Sequence, residues 1–422
     1  MQKNDAAIAI VDDVASRIDQ DFTSGDYALL VYDKKTCNGE NLMKLVYVAG
    51  LASLVVATAA HGGGVDRSGQ SVAVIFEAGK YFEASLGSVS PDVSGVGTAF
   101  SPTPGGSSGD MAASYLQFGA AYKHSFGNGL DVALIFDRPF GANVDYPATQ
   151  PYFARSTVAE LQSDAITAVV KYRFPSNLSI YGGLRYQTFS ATATVPFVSA
   201  GPATPGVVAP GAPYTANGAR DDAFGYLVGV AYERPDIALR VALTYNSKIR
   251  HSLDTVETSA FGGPVTTATP INTPQSVNLE FQTGVAADTL VFGSMRWVDW
   301  SNFEIAPAVY DGIVGAPLVS YAKDTFSFSL GVGRKLNENW SVAATLGYEK
   351  PTGGFSANLG PTDGYMSVGL GATYTMDNVK VTAGVRYVDV GDTDTALGGG
   401  VAASNFRSNH AIGVGFKVGY TF

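Results

Sequence analysis

The sequence of 422 residues lacks most of what holds soluble or secreted domains together. It has a single cysteine, Cys37, so a disulfide scaffold is excluded. Charged residues make up only 15%, against roughly 25% in soluble globular domains. The net charge is −10 and no basic cluster offsets it, which excludes a nucleic-acid partner that needs counterion release from phosphates. The four histidines, His61, His124, His251 and His410, are scattered without ligand spacing, so no metal or other cofactor is expected. Past residue 60 no apolar run reaches the length of a membrane-spanning helix. Disorder is excluded by an apolar content of 46%. What the chain does have is 49 glycines, 22 tyrosines, 23 phenylalanines and a mean hydropathy of only +0.10. Few charges combined with a near-neutral average suit a wall that is apolar outside and polar inside.

The first sixty residues stand apart. Met43-Lys44 precedes the apolar stretch Leu45–Ala60, and Ala57-Thr58-Ala59 resembles a signal-peptidase site. Residues 43–59 are therefore expected to be a cleaved secretory signal, too short to span a bilayer. Residues 1–42 carry eight acidic and four basic residues and read as an over-extended, unstructured start, with a cytoplasmic extension as the alternative. Without residues 1–59 the net charge is −7 and Cys37 is gone.

The remaining chain alternates with period two. Ile412, Val414, Phe416, Val418, Tyr420 and Phe422 share one face, and Ala411, Gly413, Gly415, Lys417, Gly419 and Thr421 the other. Val379–Asp389, Met366–Met376, Val342–Tyr348, Leu116–Tyr122 and Phe224–Val230 repeat the scheme. About 14 strands follow, near 80–96, 110–126, 129–145, 157–174, 177–194, 217–234, 236–255, 273–287, 289–304, 320–335, 338–350, 361–376, 378–393 and 408–422. Tight turns such as Phe126–Gly129 and Ala287-Asp288 alternate with longer loops such as Val195–Ala216 and Phe261–Pro270. A soluble sandwich also has alternating strands, but it has no reason to alternate its connections. The pattern predicts an all-β, antiparallel transmembrane β-barrel over residues 80–422 in a Gram-negative-type outer membrane, with both ends of the barrel on the short-turn, periplasmic side. Tyr172, Phe174, Tyr232, Trp297, Trp300, Trp340, Tyr348, Tyr374 and Tyr420 fall near strand ends and are expected to form aromatic girdles.

Signs of catalysis are weak. Gly105-Gly106-Ser107-Ser108-Gly109 fits G-x-S-x-G but lies in a Pro/Gly/Ser loop without the strand and helix a nucleophile elbow needs, so no enzyme is expected. Asp392 and Asp394 read as a solvated loop rather than a cation or lipopolysaccharide contact. Arg185, Arg386 and Lys417, with Lys123 and Glu349, take the polar phase of their strands and should face the lumen, where they either guide an anionic solute or pair with one another. Between Asp137 and Pro147, Pro139 lacks an N–H and Gly141 permits a bulge, so the third strand's ladder should be interrupted.

Several stretches resemble the FadL-type outer-membrane transporters of long-chain fatty acids and hydrocarbons. They are RPFGANVDYP (138–147), TPQSVNLEF (273–281), RWVDWSNFE (296–304), GYEKPT (347–352) and the aromatic last strand, and the likeness runs over residues 62–422. The resemblance implies a 14-stranded barrel with a short N-terminal luminal plug, here residues 60–79. It also implies a hydrophobic ligand that enters from outside and leaves sideways beside a kinked third strand, to which Pro139, Phe140 and Gly141 correspond. Arg138 and Asn143 flank that kink, and Arg138 is the candidate for meeting a carboxylate. The family's plug carries an Asn-Pro-Ala motif that is missing here. The matching stretch is Ser71–Gly79, with Phe76 and Glu77. The expected partners are a long-chain fatty acid or other hydrophobic small molecule, outer-membrane lipid and lipopolysaccharide. The resemblance further suggests a monomer. The alternatives are a general diffusion porin for small polar solutes and a structural or adhesive barrel.

Overall fold

The computed structural model describes residues 65–196, 198, 213–398 and 400–422. The expected signal, the extension before it, positions 60–64 of the plug and most of the Val195–Ala216 loop lie outside the described residues.

Among the described residues fourteen barrel strands follow one another. They are β1 (Tyr81–Asp92), β2 (Tyr115–Gly127), β3 (Leu130–Asp137 and Gly141–Asp145), β4 (Val158–Arg173), β5 (Leu178–Val195), β6 (Tyr214–Arg234), β7 (Leu239–Asn246 and Ile249–Ser259), β8 (Gly262–Thr273 and Ser276–Ala286), β9 (Thr289–Val298), β10 (Thr325–Lys335), β11 (Trp340–Glu349), β12 (Tyr365–Met376), β13 (Val379–Val390) and β14 (Asn409–Thr421). All pairings within the barrel are antiparallel. β14 returns to β1 from Tyr81↔Thr421 to Asp92↔His410, which closes the sheet into a barrel.

The period-two pattern becomes the two faces of the wall. On β14 Ile412, Val414 and Phe416 are exposed, while Ala411 and Lys417 are buried in the lumen. On β6 Phe224, Tyr226, Val228, Val230 and Tyr232 form the outer stripe. Tyr172, Phe174, Tyr232, Trp340, Tyr348, Tyr374 and Tyr420 are exposed near strand ends, where girdles belong. Trp300 does not join them. It is fully buried against Phe140, Phe303 and Tyr321, because the chain leaves β9 at Val298 and folds inward. On the short-turn rim Asn128, Asn177, Ala238, Asp288 and Asp377 adopt left-handed backbone conformations that reverse the chain within a few residues.

A second difference concerns Phe261–Pro270, expected as a loop. Gly262–Thr273 is strand and pairs with Ile249–Ser259, so β7 and β8 continue outward as one long hairpin. Gly262-Gly263-Pro264 suggests a loop, but only the first few residues turn. The threonines after them are β-branched and suit a pleated ladder. Arg250, Ser252 and Asp254 are exposed on its outer face, which places the hairpin above the hydrocarbon band.

The long-loop rim is covered. The segment between β9 and β10 carries helix α1 (Ala308–Val314). The carboxylate of Glu257 holds its first turn by accepting the amides of Val309 (3.0 Å) and Tyr310 (3.0 Å) and the hydroxyls of Tyr214 and Thr267 (2.7 Å each). A separate four-stranded sheet joins Phe355–Ser356, Thr393–Ala396, Ala402–Phe406 and Gly95–Gly97 on the same side. Within it Asp394 pairs with Arg407, and Asn405 donates to its carboxylate at 2.8 Å.

Candidate functional site

The β6–β7 ladder is interrupted between Leu227↔Asn246 and Gly218↔Thr255 without a change of register, and a second irregularity, with such a change, lies at Arg138-Pro139-Phe140. On the β4 side Asp137 faces Ala165 and Gly141 faces Gln162. Three residues of β3 thus stand against two of β4, a one-residue bulge that exchanges inward and outward positions. Ile135 and Asp137 point inward before it, and Ala142 and Val144 after it. On the β2 side the ladder runs from Ser125↔Asp131 up to Ala120↔Phe136 and stops. It resumes only at the bridge Ala112↔Val144. Between these points the two strands leave a window in the barrel.

The window is filled from within. Residues 65–79 run inside the lumen, and their first residues act as the neighbour β3 has lost. Asp66 bridges Phe140, the Arg67 amide donates to the Pro139 carbonyl at 2.8 Å, and the Gly141 amide donates to the Val65 carbonyl at 2.9 Å. The Arg67 guanidinium lies 3.8 Å over the Tyr115 ring of β2 and donates to Asn143 Oδ1 of β3 at 2.6 Å. A Cβ on Gly141 would sit 2.5 Å from that guanidinium, so any other residue there would displace it from its present place. Gln117 of β2 donates to the Arg138 carbonyl at 2.9 Å, and Ser68 to Asp137 Oδ2 at 2.5 Å.

The plug is held on the far wall by a buried charge. Arg296 of β9 donates to Asp66 Oδ2 (2.7 Å), Ser276 Oγ (2.9 Å), Asn278 Oδ1 (2.7 Å) and Gln70 Oε1 (3.1 Å). Asn278 Nδ2 donates in turn to the Gly69 carbonyl at 2.8 Å. Every polar atom that Arg296 turns into the low-dielectric interior therefore has a partner, as a buried ion pair requires. This gives the TPQSVN and RWVDW stretches a physical role: they build the socket for the plug.

The lumen is filled near the short-turn rim. The short 3₁₀ turn Ala73–Phe76 packs Val74 and Ile75 among Tyr81, Val169, Tyr181 and Leu227. The Phe76 ring lies between Lys171 (4.5 Å) and Arg240 (4.8 Å), with Tyr181 edge-on at 5.7 Å. The Glu77 carbonyl accepts from Lys123 Nζ at 2.7 Å.

Three spaces adjoin the window. The outermost, of about 630 Å³, is walled by Val65, Ala142, Leu161, Leu253, Ile271 and Ile305 among others, and no lysine or arginine lines it. A second, of about 840 Å³, shares Val65, Ala142, Val144, Tyr321 and Leu359 with it and reaches Arg67, Gly141 and Asn143. A third, of about 1010 Å³, lies in the lumen beside Ser68, Ser71 and Asp137 and extends to Phe118 and Phe136, which flank the window.

The sequence candidates divide between these places. Pro139, Phe140, Gly141 and Asn143 lie at the window, with Phe140 turned inward onto Trp300. Arg138 points outward and pairs with Asp164 at 3.1 Å, and it lines none of the three spaces. Arg185 is buried and donates to Thr167 and Asn246, Arg386 donates to Ser367, and Lys417 pairs with Glu83 at 3.3 Å. Lys123 pairs with Asp131 at 2.9 Å. These luminal cations are therefore engaged with the wall. The residues that sequence reasoning missed are Asp66, Arg67 and Arg296. Asp66-Arg67 is the first charged pair after the apolar leader, and that position is the only signal that marked it.

A family model described as outer membrane protein transport protein (OMPP1/FadL/TodX) matches residues 88–422. Among solved structures, a Pseudomonas aeruginosa FadL homologue superposes with a TM-score of 0.68 at 14% identity, covering 88% of this chain and 98% of that one. The Pseudomonas putida toluene transporter TodX does so at 0.57 and 13%, covering 88% and 98%. The Ralstonia pickettii toluene transporter TbuX gives 0.58 and 12%, covering 87% and 98%. At such identities these structures speak for the fold alone. No curated protein matches the chain by sequence. The family model spans most of the chain, which therefore belongs to the FadL/TodX family of outer-membrane proteins, non-enzymatic transporters of hydrophobic compounds.

Proposed function

We propose that this protein admits long-chain fatty acids or similar hydrophobic compounds passively from the cell exterior and releases them sideways, through the window beside Arg138–Gly141, into the outer membrane. The observation that carries this reading is the pairing of a window with a cork. The lumen is blocked toward the periplasm by Phe76 and its neighbours, while the β2–β3 ladder is open between Ala120↔Phe136 and Ala112↔Val144. Energetics favour the same route. Each methylene kept out of water is worth about 0.8 kcal/mol, so an aqueous axial path penalises an alkyl chain that an apolar cavity opening onto lipid does not. The apolar outer cavity and the toluene carried by TodX and TbuX fit the same class of ligand.

The test is uptake of a long-chain fatty acid, and in parallel of toluene, by cells or vesicles carrying the protein. Barrels whose window is closed by an engineered crosslink between β2 and β3 should lose it. Unimpaired uptake through a closed window would overturn the lateral route. High conductance of the intact barrel in planar bilayers would favour the porin alternative instead.

A further inference from the structure

The outer face of the wall changes character above one register row. Phe136, Ile166, Tyr186 and Phe224 stand side by side across β3, β4, β5 and β6, in the outward phase of their strands. Toward the long loops, the next outward positions carry Arg138, Asp164, Thr188 and Asp222. Arg138 and Arg220 share the Asp164 carboxylate, each at 3.1 Å. Across the β6–β7 gap Lys248 and Arg250 are exposed, and among the described residues neither has an ion pair or a side-chain hydrogen bond. Four cations thus stand with two carboxylates, Asp164 and Asp222. Asp221 is turned to His251 and the Ser252 amide, and Glu160 and Asp254 come two outward positions further up. Positions 197 and 199–212 hold no charged residue that alters this balance. On β10, β11 and β13 the positions just above the apolar stripe hold Lys323, Asp324, Lys350 and Asp389, which cancel. The positive excess is therefore confined to one side of the barrel, in a chain whose net charge is −10.

The tight turns lie on the opposite rim, which puts this patch at the outer leaflet of the membrane. Cations just above an apolar band meet the phosphates of lipids whose chains cover that band. A guanidinium suits a phosphate through its paired N–H donors, and Arg138 and Arg220 spend only part of theirs on Asp164 and the Leu116 carbonyl. We propose that the outer face of β3–β7 seats a phosphorylated glycolipid of the outer leaflet, of the lipid A class. Its acyl chains lie over the row from Phe136 to Phe224, and its phosphates meet Arg138, Arg220, Lys248 and Arg250. The site is outside the lumen and does not depend on what the protein transports. Since Arg138 belongs to the bulge of β3, the seated lipid forms the outer border of the window.

The test is native mass spectrometry of the purified full-length barrel, titrated with lipid A and with the same glycolipid after removal of its phosphates. The wild type should bind the phosphorylated form about tenfold more tightly or better. Lys248→Gln with Arg250→Gln should weaken that binding about twentyfold, or roughly fivefold for each cation removed, and leave the dephosphorylated form unaffected. Arg138→Gln with Arg220→Gln is a second, independent pair and should act the same way. Lys323→Gln with Lys350→Gln, on the balanced side, should stay within twofold of the wild type. All variants alter exposed side chains, and the heat-resistant band on gels shows that each barrel is folded. Indifference of the wild type to the phosphates would overturn the site, and so would equal losses from the balanced side. Inorganic phosphate competing as well as the lipid would reveal a site for free anions and overturn the glycolipid assignment.

Discussion

The barrel wall is interrupted twice near prolines, and the two interruptions differ in kind. At Ser247-Lys248 and Pro274-Gln275, β7 and β8 lose their ladder briefly and regain it unchanged. Asn246 faces Ser276 below the gap and Ile249 faces Thr273 above it, so equal numbers of residues are skipped on both sides. At Arg138–Phe140 the counts are unequal and the register to β4 slips by one. A proline removes one donor in either place. Where the extra residue also re-aims the strand, β3 parts from β2, whereas beside the in-register gap β7 parts from β6 between Leu227↔Asn246 and Gly218↔Thr255 with equal numbers of residues on both sides. The first interruption extends a hairpin and the second makes a window. The two are joined by the plug, which is anchored next to one through Ser276, Asn278 and Arg296 and occupies the other through Val65–Arg67.

The largest expected effect therefore comes from cutting that link. Arg296→Ala leaves Asp66 buried without its cation, and breaking a buried pair from one side costs about 3–5 kcal/mol. The closed hydrogen-bond ladder should survive, so the cost falls on the plug. Planar-bilayer recordings should show a large rise in conductance over the wild type, with the heat-resistant band of the folded barrel intact on gels. A silent, folded variant would mean that the window contacts alone hold the plug.

Next in size is a direct exchange between the two interruptions. Gly141→Val with Pro139→Ala drives a side chain into the space of the Arg67 guanidinium and restores a donor to β3. Fatty-acid uptake should fall about tenfold or more, which corresponds to ~1.4 kcal/mol. Pro274→Ala, at the in-register gap, should leave uptake within twofold of wild type. Equal effects at both sites would erase the distinction between an opening and an extension. A smaller change follows from Phe76→Ala, which removes a ring held by two cations, each such contact being worth about 0.5–2 kcal/mol. Baseline conductance should rise modestly while uptake stays, because the cork lies off the lateral route.

Much of this was legible in residue order, and the failures have physical reasons. Period-two alternation and alternating connection lengths are local, so the fourteen strands and the rim that carries the tight turns could be read from them. Pro139 and Gly141 announced a disturbed ladder, since one lacks a donor and the other lacks a Cβ. That the disturbance opens toward β2 rather than β4 depends on register between strands, which no single segment encodes. Trp300 was misplaced because an aromatic at a strand end reads the same whether the chain goes on along the wall or turns inward. The hairpin above β7 and β8 was missed because threonine suits strands and loops alike. Arg67 and Arg296 gain their meaning from partners far away in the chain, and charge spacing along the sequence does not show such pairs.

The smallest effect belongs to the hairpin above the in-register gap. Glu257 sits on it and is the anchor of α1, so it links the extension to the cover of the outer cavity, whose walls include Pro307 and Leu318. Burial alone pushes its carboxyl up, but the Thr267 and Tyr214 hydroxyls and the Val309 and Tyr310 amides outweigh that and hold it below the usual glutamate range. With the folded-state value depressed, the carboxylate's contribution is complete above the unfolded-chain value of about 4.3 and is lost as pH falls through the lower folded one. Amide exchange at Val309 and Tyr310 should therefore speed up between pH 5 and pH 3 in the wild type, after correction for intrinsic rates. Glu257→Gln retains an acceptor but not the charge. It should exchange faster already at pH 7, by the equivalent of about 1 kcal/mol, and show little further response to acid. If this loosening leaves ligand affinity unchanged, the hairpin only extends the wall. If affinity falls severalfold, the in-register gap also serves the ligand, through the cover above the cavity rather than through an opening in the barrel.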